Sequence, residues 1–274
     1  MITLKTEELK AVCTKIRDAV DKNGAKEVYS YLEIIIKSGV LYLQVTGEDY
    51  FVKVKLATNN SEDFHATVRA DAFIELISSM TTELITLDVN EKSLIIRGNG
   101  EYPLPIIYDG ENILTLEEID IENVTNIFDV DGDVLNSIYT INAKLLSNSS
   151  NTMSELQHNY YVDNRGAITS TRSSACINDF NLEQDVKLLF PQKVVKLFKL
   201  FKNCNVTLSI GKDKETNNSS ANRVKLVTPE IEITSITATD EYVNKYASDV
   251  VRNMKDKDYD NLITLNRLDL LQTV

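Results

Sequence analysis

Lys193, Lys196, Lys199 and Lys202 are the most suggestive set of charged side chains in the chain. Wound on a helix at about 100° per residue, they sweep one half of its circumference. Val194, Val195, Leu197, Phe198, Leu200 and Phe201 cover the other half. One face buries and the other is a lysine stripe. The chemistry open to such a stripe is phosphate neutralisation, in which flexible cations hold a polyanion without reading its sequence. Taken alone, the same pattern is also that of a solvated helix face.

Other chemistry finds little support. His65 and His158 are the only histidines, and neither has a Cys, Asp or Glu partner at metal-ligand spacing. No Gly-rich phosphate loop occurs, so nucleotide hydrolysis has no seat. Asp129-Val130-Asp131-Gly132-Asp133 begins like a calcium loop, which needs Gly at its sixth position and Glu at its twelfth. Here Gly132 is fourth and Thr140 stands twelfth. The acidic run reads better as a helix N-terminus, where carboxylates favour the dipole. Neighbouring acids such as Glu117 and Glu118 arise by chance in an acidic chain. The expectation is a non-enzymatic protein with no metal and no cofactor.

The bulk composition bounds the rest. A chain of 274 residues has room for two domains. Only 9 Gly and 4 Pro argue against a disordered chain. The formal net charge of -12 argues against nucleic acid only if the charges are evenly spread. Charges farther apart than about 8–10 Å are screened at physiological salt, so an acidic outside can coexist with a basic inside. Cys13, Cys176 and Cys204 are odd in number and scattered, which fits a reducing, cytoplasmic setting. The N-terminus carries no apolar signal segment. Runs such as Ile34-Ile35-Ile36 are too short to span a membrane, and no membrane partner is expected.

The elements that would position the lysines come in copies. VRADAFIELISSMTTELITLDV (Val68 to Val89) aligns without a gap on LFPQKVVKLFKLFKNCNVTLSI (Leu189 to Ile210). Each reads as a strand end, a short helix, a polar turn and an alternating strand, Leu84 to Val89 in one and Val206 to Ile210 in the other. Phe73, Leu76, Ile77 and Met80 give the first copy its helical spacing. Upstream, Leu4 to Val20 carries an amphipathic helix pattern through Leu9, Val12, Cys13, Ile16 and Val20, with Thr6 or Glu7 as its N-cap region and Asn23-Gly24 as its stop. Val130 to Leu146 matches it through Leu135, Ile138, Tyr139 and Leu145. Strand-like runs lie between: Leu41 to Val45 and Phe51 to Leu56, then Asn159 to Val162 and Ala167 to Ser170. The period of about 125 residues makes each unit a whole domain. Ile263-Thr264-Leu265-Asn266-Arg267 and the following Leu268 to Val274 repeat the opening Ile2-Thr3-Leu4-Lys5 and its helix, so the expectation is that a third copy begins and breaks off; the alternative is that this last helix docks on the second domain or on a neighbouring chain.

In this order, the elements resemble the bacterial β sliding clamp, the processivity ring of a replicative DNA polymerase. Leu43-Gln44-Val45-Thr46-Gly47-Glu48-Asp49, followed by Val52 and Val54, is similar to that family's L-x-L-T-G-x-D turn. Ala66 through Asp71, Phe73 and Leu76 resembles the second helix of its first domain. Val186 to Phe201, with Pro191 at the helix start, resembles its I-I-P-x-K element. Thr169 to Ala175 keeps only a Thr and a displaced Arg of the family's T-D-x-H-R-L-A turn. Tyr242 to Tyr246 stands for its Phe-Pro-Asp-Tyr element without the Pro. These departures imply a divergent member, of the kind a phage or mobile element encodes.

The resemblance implies an α+β DNA clamp fold of tandem two-helix, antiparallel-sheet domains. Residues 1–125 and 126–255 would be clamp domains, and 256–274 the beginning of a truncated third. It implies a function as well: encircling double-stranded DNA without sequence specificity, as a ring of copies, and tethering a DNA polymerase. On this reading Lys193, Lys196, Lys199 and Lys202 face the DNA, with Lys10, Arg17, Lys144 and Arg69 as further candidates. A hydrophobic pocket for peptides of the polymerase and clamp-loader subunits would lie near Leu156, Thr169, Thr171 and Arg172, with Val250 or Val251 on its rim. Leu156 also reads as a core strand residue. The alternative is a clamp-fold regulatory protein that does not encircle DNA.

Overall fold

The computed structural model of the chain describes residues 1–21, 24–58, 62–142, 145, 159–170, 175–212 and 222–247. Ile2 and Leu4 are buried and alternate with exposed Thr3 and Lys5, which makes a strand of the opening residues (β1, Ile2–Lys5). The helix therefore follows directly as α1 (Thr6–Arg17), with Lys5 at the cap position one or two residues before the expected Thr6 or Glu7. It buries Leu9, Val12, Cys13 and Ile16, and burial pushes the Cys13 thiol up to about 12. Four strands come next: β2 (Tyr31–Lys37), β3 (Val40–Thr46), β4 (Tyr50–Ala57) and β5 (Phe64–Arg69). The β2–β3 hairpin turns through Ser38 and Gly39, both at positive φ (51° and 77°), as the twist of a two-residue loop demands. Then come α2 (Ala70–Ser79), β6 (Leu84–Val89), β7 (Ser93–Arg97) and β8 (Glu101–Pro105).

A linking segment carries the small hairpin β9 (Tyr108–Asp109) and β10 (Asn112–Ile113). It is bound down by Ile107 N–H to Thr67 O (2.8 Å) and by Leu116 N–H to Glu33 Oε2 (3.2 Å). Glu33 is fully buried, and its other oxygen meets His65 Nε2 at 2.7 Å. Burial pushes this carboxyl up, against the opposing pull of Leu116 and His65.

The second copy repeats the order with β11 (Glu122–Asp131), α3 (Gly132–Ser137), β12 (Asn159–Asp163), β13 (Gly166–Ser170), β14 (Ala175–Asp179), β15 (Lys187–Pro191), α4 (Gln192–Leu197), β16 (Asn205–Lys212), β17 (Asn222–Val227) and β18 (Ile231–Ile236). It closes with α5 (Asp240–Tyr246). The helix expected from Val130 starts only after Asp131 and is not α-helical throughout. Strand β11 holds the chain to Asp131, and after Ser137 the backbone loosens into a π turn over Ile138–Asn142. The acidic run does form a helix head, where the Asp131 carboxylate accepts from Asp133 N–H at 2.9 Å. α4 starts after Pro191 and tightens into a 3-10 turn over Phe198–Phe201.

Sheet order makes the duplication explicit. β1-β6-β7-β8 in the first copy answers β11-β16-β17-β18 in the second, and β5-β2-β3-β4 answers β15-β12-β13-β14. Among the described residues every pairing is antiparallel. The copies are joined because β18 pairs with β4, giving one eight-stranded sheet that runs through both. Ile236 N–H donates to Asp49 O and Lys55 N–H to Glu230 O, each at 2.8 Å. Glu232 holds Lys55 across the seam (3.2 Å) and Lys225 of the neighbouring β17 (2.6 Å). Burial pushes its carboxyl up, but the two lysines outweigh that and hold it below its usual range. The core is likewise continuous, from Leu9, Ile34 and Phe73 to Ile138, Phe190 and Phe201. Burial of each such side chain contributes about 1.5–3 kcal/mol.

Candidate nucleic-acid interface

The lysine stripe does not stand on one helix. Lys193 and Lys196 lie on α4, Lys199 on the 3-10 turn, and Lys202 caps that turn. A 3-10 turn has about three residues per turn, so a spacing of three is kept in line better than α-helical winding would keep it. The opposite side packs with Val194, Val195, Leu197, Phe198 and Phe201 buried, Leu200 half-buried, and Phe190 edge-on to Phe198 at 5.2 Å.

Two of the lysines are taken up by the first copy. Lys193 Nζ lies 2.6 Å from Asp21 Oδ2, and Lys199 Nζ lies 2.9 Å from Asp18 Oδ2 and 5.8 Å from the centre of the Tyr139 ring. Burial lowers the Lys193 ammonium, but Asp21, Glu48 and Asp49 together raise it above its usual value. Burial, reinforced by Glu48, pushes the Asp49 carboxyl up. Asp18 closes the C-terminal end of α1, where a carboxylate opposes the helix dipole and gains from a cation. That misplaced charge was the one sequence signal that could have pointed to the pairing. Exposed pairs of this kind contribute about 0–1 kcal/mol each, so they orient side chains more than they stabilise the fold.

Lys196 and Lys202 differ. Both are exposed, and among the described residues neither has a carboxylate in ion-pairing range. Lys10 pairs with Glu7 at 3.4 Å. Arg17 donates to Ser78 Oγ at 2.7 Å in a 480 Å³ cleft between α1 and α2 that Asp71 and Glu75 also line. Arg69 sits between Asp71 (3.5 Å) and Glu27 (3.8 Å). Lys144 lies outside the described residues, as do Leu156, Thr171, Arg172, Val250 and Val251 of the expected peptide pocket. Thr169 is fully buried on the strand face it shares with Ala167 and the main core.

The neighbouring face of that sheet carries a separate apolar cluster. Tyr161, Ile168 and Leu189 pack against Val243 and Tyr246 of α5. The rings of Tyr161 and Tyr246 stack at 5.8 Å, and Ser170 Oγ lies 3.2 Å from Tyr246 Oη. At its head, Thr239 caps α5, and Asp240 accepts from Lys212 (2.9 Å) and Asn222 (2.8 Å). Tyr242 to Tyr246, read from sequence as a worn linker element, is thus a docked helix. Among the described residues, no helix is long and apolar enough to cross a membrane.

No protein-family model matches the sequence, and comparison with the sequences of characterised proteins gives no match. Solved structures do match. A Helicobacter pylori beta clamp shares the fold at TM-score 0.72 and 16% identity, over 99% of this chain and 72% of that one. The DNA polymerase III beta chain of Streptococcus pneumoniae gives 0.73 and 13%, over 100% and 73%. A Helicobacter pylori beta clamp bound to a DNA ligase peptide gives 0.66 and 16%, over 86% and 66%. The fold is that of the bacterial beta clamp, and the chain spans about two thirds to three quarters of those proteins' length.

Proposed function

We propose that the chain serves as a non-catalytic DNA sliding clamp, encircling duplex DNA as part of a ring and tethering a polymerase. One observation carries the reading: within a duplicated clamp fold, Lys196 on α4 and Lys202 at the end of the 3-10 turn stand exposed with no carboxylate partner among the described residues. Two mobile ammonium groups per chain suit contact with phosphate that must be made and broken as the protein slides. The net charge of -12 opposes adhesion of DNA elsewhere on the surface. A clamp of the same fold binds a DNA ligase peptide, which supports peptide-bearing replication enzymes and loader subunits as partners.

The test is retention on DNA by the full chain together with its loading machinery. The protein should stay on nicked circular plasmid and leave when the plasmid is linearised. Lys196→Glu combined with Lys202→Glu should weaken association at least about tenfold and reduce the salt slope by about 2. Retention that ignores linearisation would sink the ring, and unchanged binding by the variant would sink the lysine assignment.

A further inference from the structure

The internal seam supplies a rule for reading the outer edge of the first copy. On β18, residues 231, 233 and 235 bond back to β17, as Thr228 N–H to Ile231 O shows, so the backbones of Glu232, Thr234 and Ile236 face outward. Those outward N–H groups meet β4, Ile236 donating to Asp49 and the others lying opposite Phe51 and Lys53. β8 is the counterpart of β18 in the first copy. There Gly98 N–H donates to Gly100 O and Ile106 N–H to Lys92 O, both at 3.0 Å, which turns residues 102 and 104 inward to β7. Residues 101, 103 and 105 therefore face outward.

Counting from each hairpin, 101, 103 and 105 answer 232, 234 and 236. Two of the three are Pro103 and Pro105. A proline has no N–H, so where the seam in the second copy finds donors at Thr234 and Ile236, this edge offers only carbonyl oxygens. Glu101 keeps the one outward N–H of β8.

We infer that the outer edge of β8 is sealed against strand addition, and that a second copy of the chain meets it through side chains without extending the sheet. Naming a second copy rests on the ring reading above, because a ring of duplicated units must bring another copy to the one edge whose internal counterpart is filled by β4. Edge prolines also prevent indiscriminate pairing of exposed strands.

The experiment restores the missing donors. Pro103→Thr with Pro105→Ile installs the residue types of the internal seam, and Pro103→Ala and Pro105→Ala each return one N–H with the smallest change. Self-association of the full chain is measured by sedimentation equilibrium, with amide exchange at residues 101–105. The double variant should associate about tenfold more tightly, each alanine variant by an intermediate factor, with the new amides protected only in the associated form. Association no tighter than wild type in all three, or a protected Glu101 amide in wild-type assemblies, would overturn the seal. Plasmid retention by the wild type is scored separately. Retention without tightening sinks only the seal, and tightening without retention sinks only the ring.

Discussion

The two copies share a topology but close their helix pairs differently. At the head of α1, Thr6 N–H donates to Glu83 O (2.9 Å) just before β6; at the head of α3, Gly132 N–H donates to Cys204 O (2.8 Å) just before β16. The bond is common, and the space around it is not. Thr6 fits its whole side chain, 1% exposed, with an Oγ1 that has no hydrogen-bond partner among the described residues. A Cβ on Gly132 would lie 1.9 Å from Phe201 O and 2.7 Å from Cys204 O. The first copy's α1 and α2 are long, of 12 and 10 residues, whereas the six-residue α3 and α4 continue into π and 3-10 turns, and there Phe201 lies against Gly132. Strand register and the helix-head bond are what the fold repeats. Helix length is free to vary, and closer approach is recorded as a glycine.

The largest expected effect tests that difference directly. Gly132→Ala must displace backbone rather than a flexible side chain, and should cost about 3 kcal/mol in urea denaturation. Thr6→Gly should cost about 1–2 kcal/mol, since it removes an unbonded hydroxyl together with a buried methyl and adds glycine's entropy, but displaces no backbone. Equal costs at the two sites would break the comparison.

The copies also divide the charge between them, the first supplying Asp18 and Asp21 and the second the lysines they hold. Asp18→Asn with Asp21→Asn should free Lys193 and Lys199, raise affinity for duplex DNA roughly three- to tenfold at 0.1 M salt and steepen its salt dependence. Fluorescence anisotropy with a labelled duplex reads both. Unchanged affinity would mean that only Lys196 and Lys202 reach phosphate, and a loss would mean that the pairs hold the helices in their working arrangement.

Local periodicity made the helical cores legible. Phe73 and Ile77 of α2, and Val194, Leu197, Phe198 and Phe201 of the second copy, are buried as their spacing predicts. Strand β6 spans the residues its alternation marks. The same spacing misled at helix ends, because 3-10 and π turns carry an apolar stripe nearly as well as an α-helix does. The β18–β4 seam was invisible for a different reason. It is made by backbone bonds between residues some 180 positions apart, as in Ile231↔Val54, and backbone bonds leave no residue-type signature. Asp18 and Asp21 escaped notice likewise, since their partners lie 172 or more positions away. The prolines of β8 were visible in sequence from the start, but their meaning depends on which way alternate backbones face.

The smallest expected effects lie at the exit of each copy, and they have opposite signs. After β8, the linking segment hangs on Glu33, a buried carboxyl whose folded pKa is raised above 4.5 by burial. After β18, α5 hangs on Asp240, whose pKa is lowered below 3.8, first by its bond from Lys212 and then by Asn222. A lowered acid contributes stability above its unfolded pKa and loses it as pH falls through the folded value, because the unfolded chain then binds the proton more readily. A raised acid does the reverse: between 4.5 and its folded value the native state holds more protons, so acidification stabilises it. Asp240 is 68% exposed, so solvent screens much of its share and the effect should be a few degrees in Tm. Thermal melts from pH 7 to pH 3 should show Asp240→Asn with a flatter acid limb than wild type. Glu33→Gln should show a steeper one, having lost the group that gains on protonation. If both variants shift the limb in the same direction, the two attachments are not the opposed pair that their surroundings dictate.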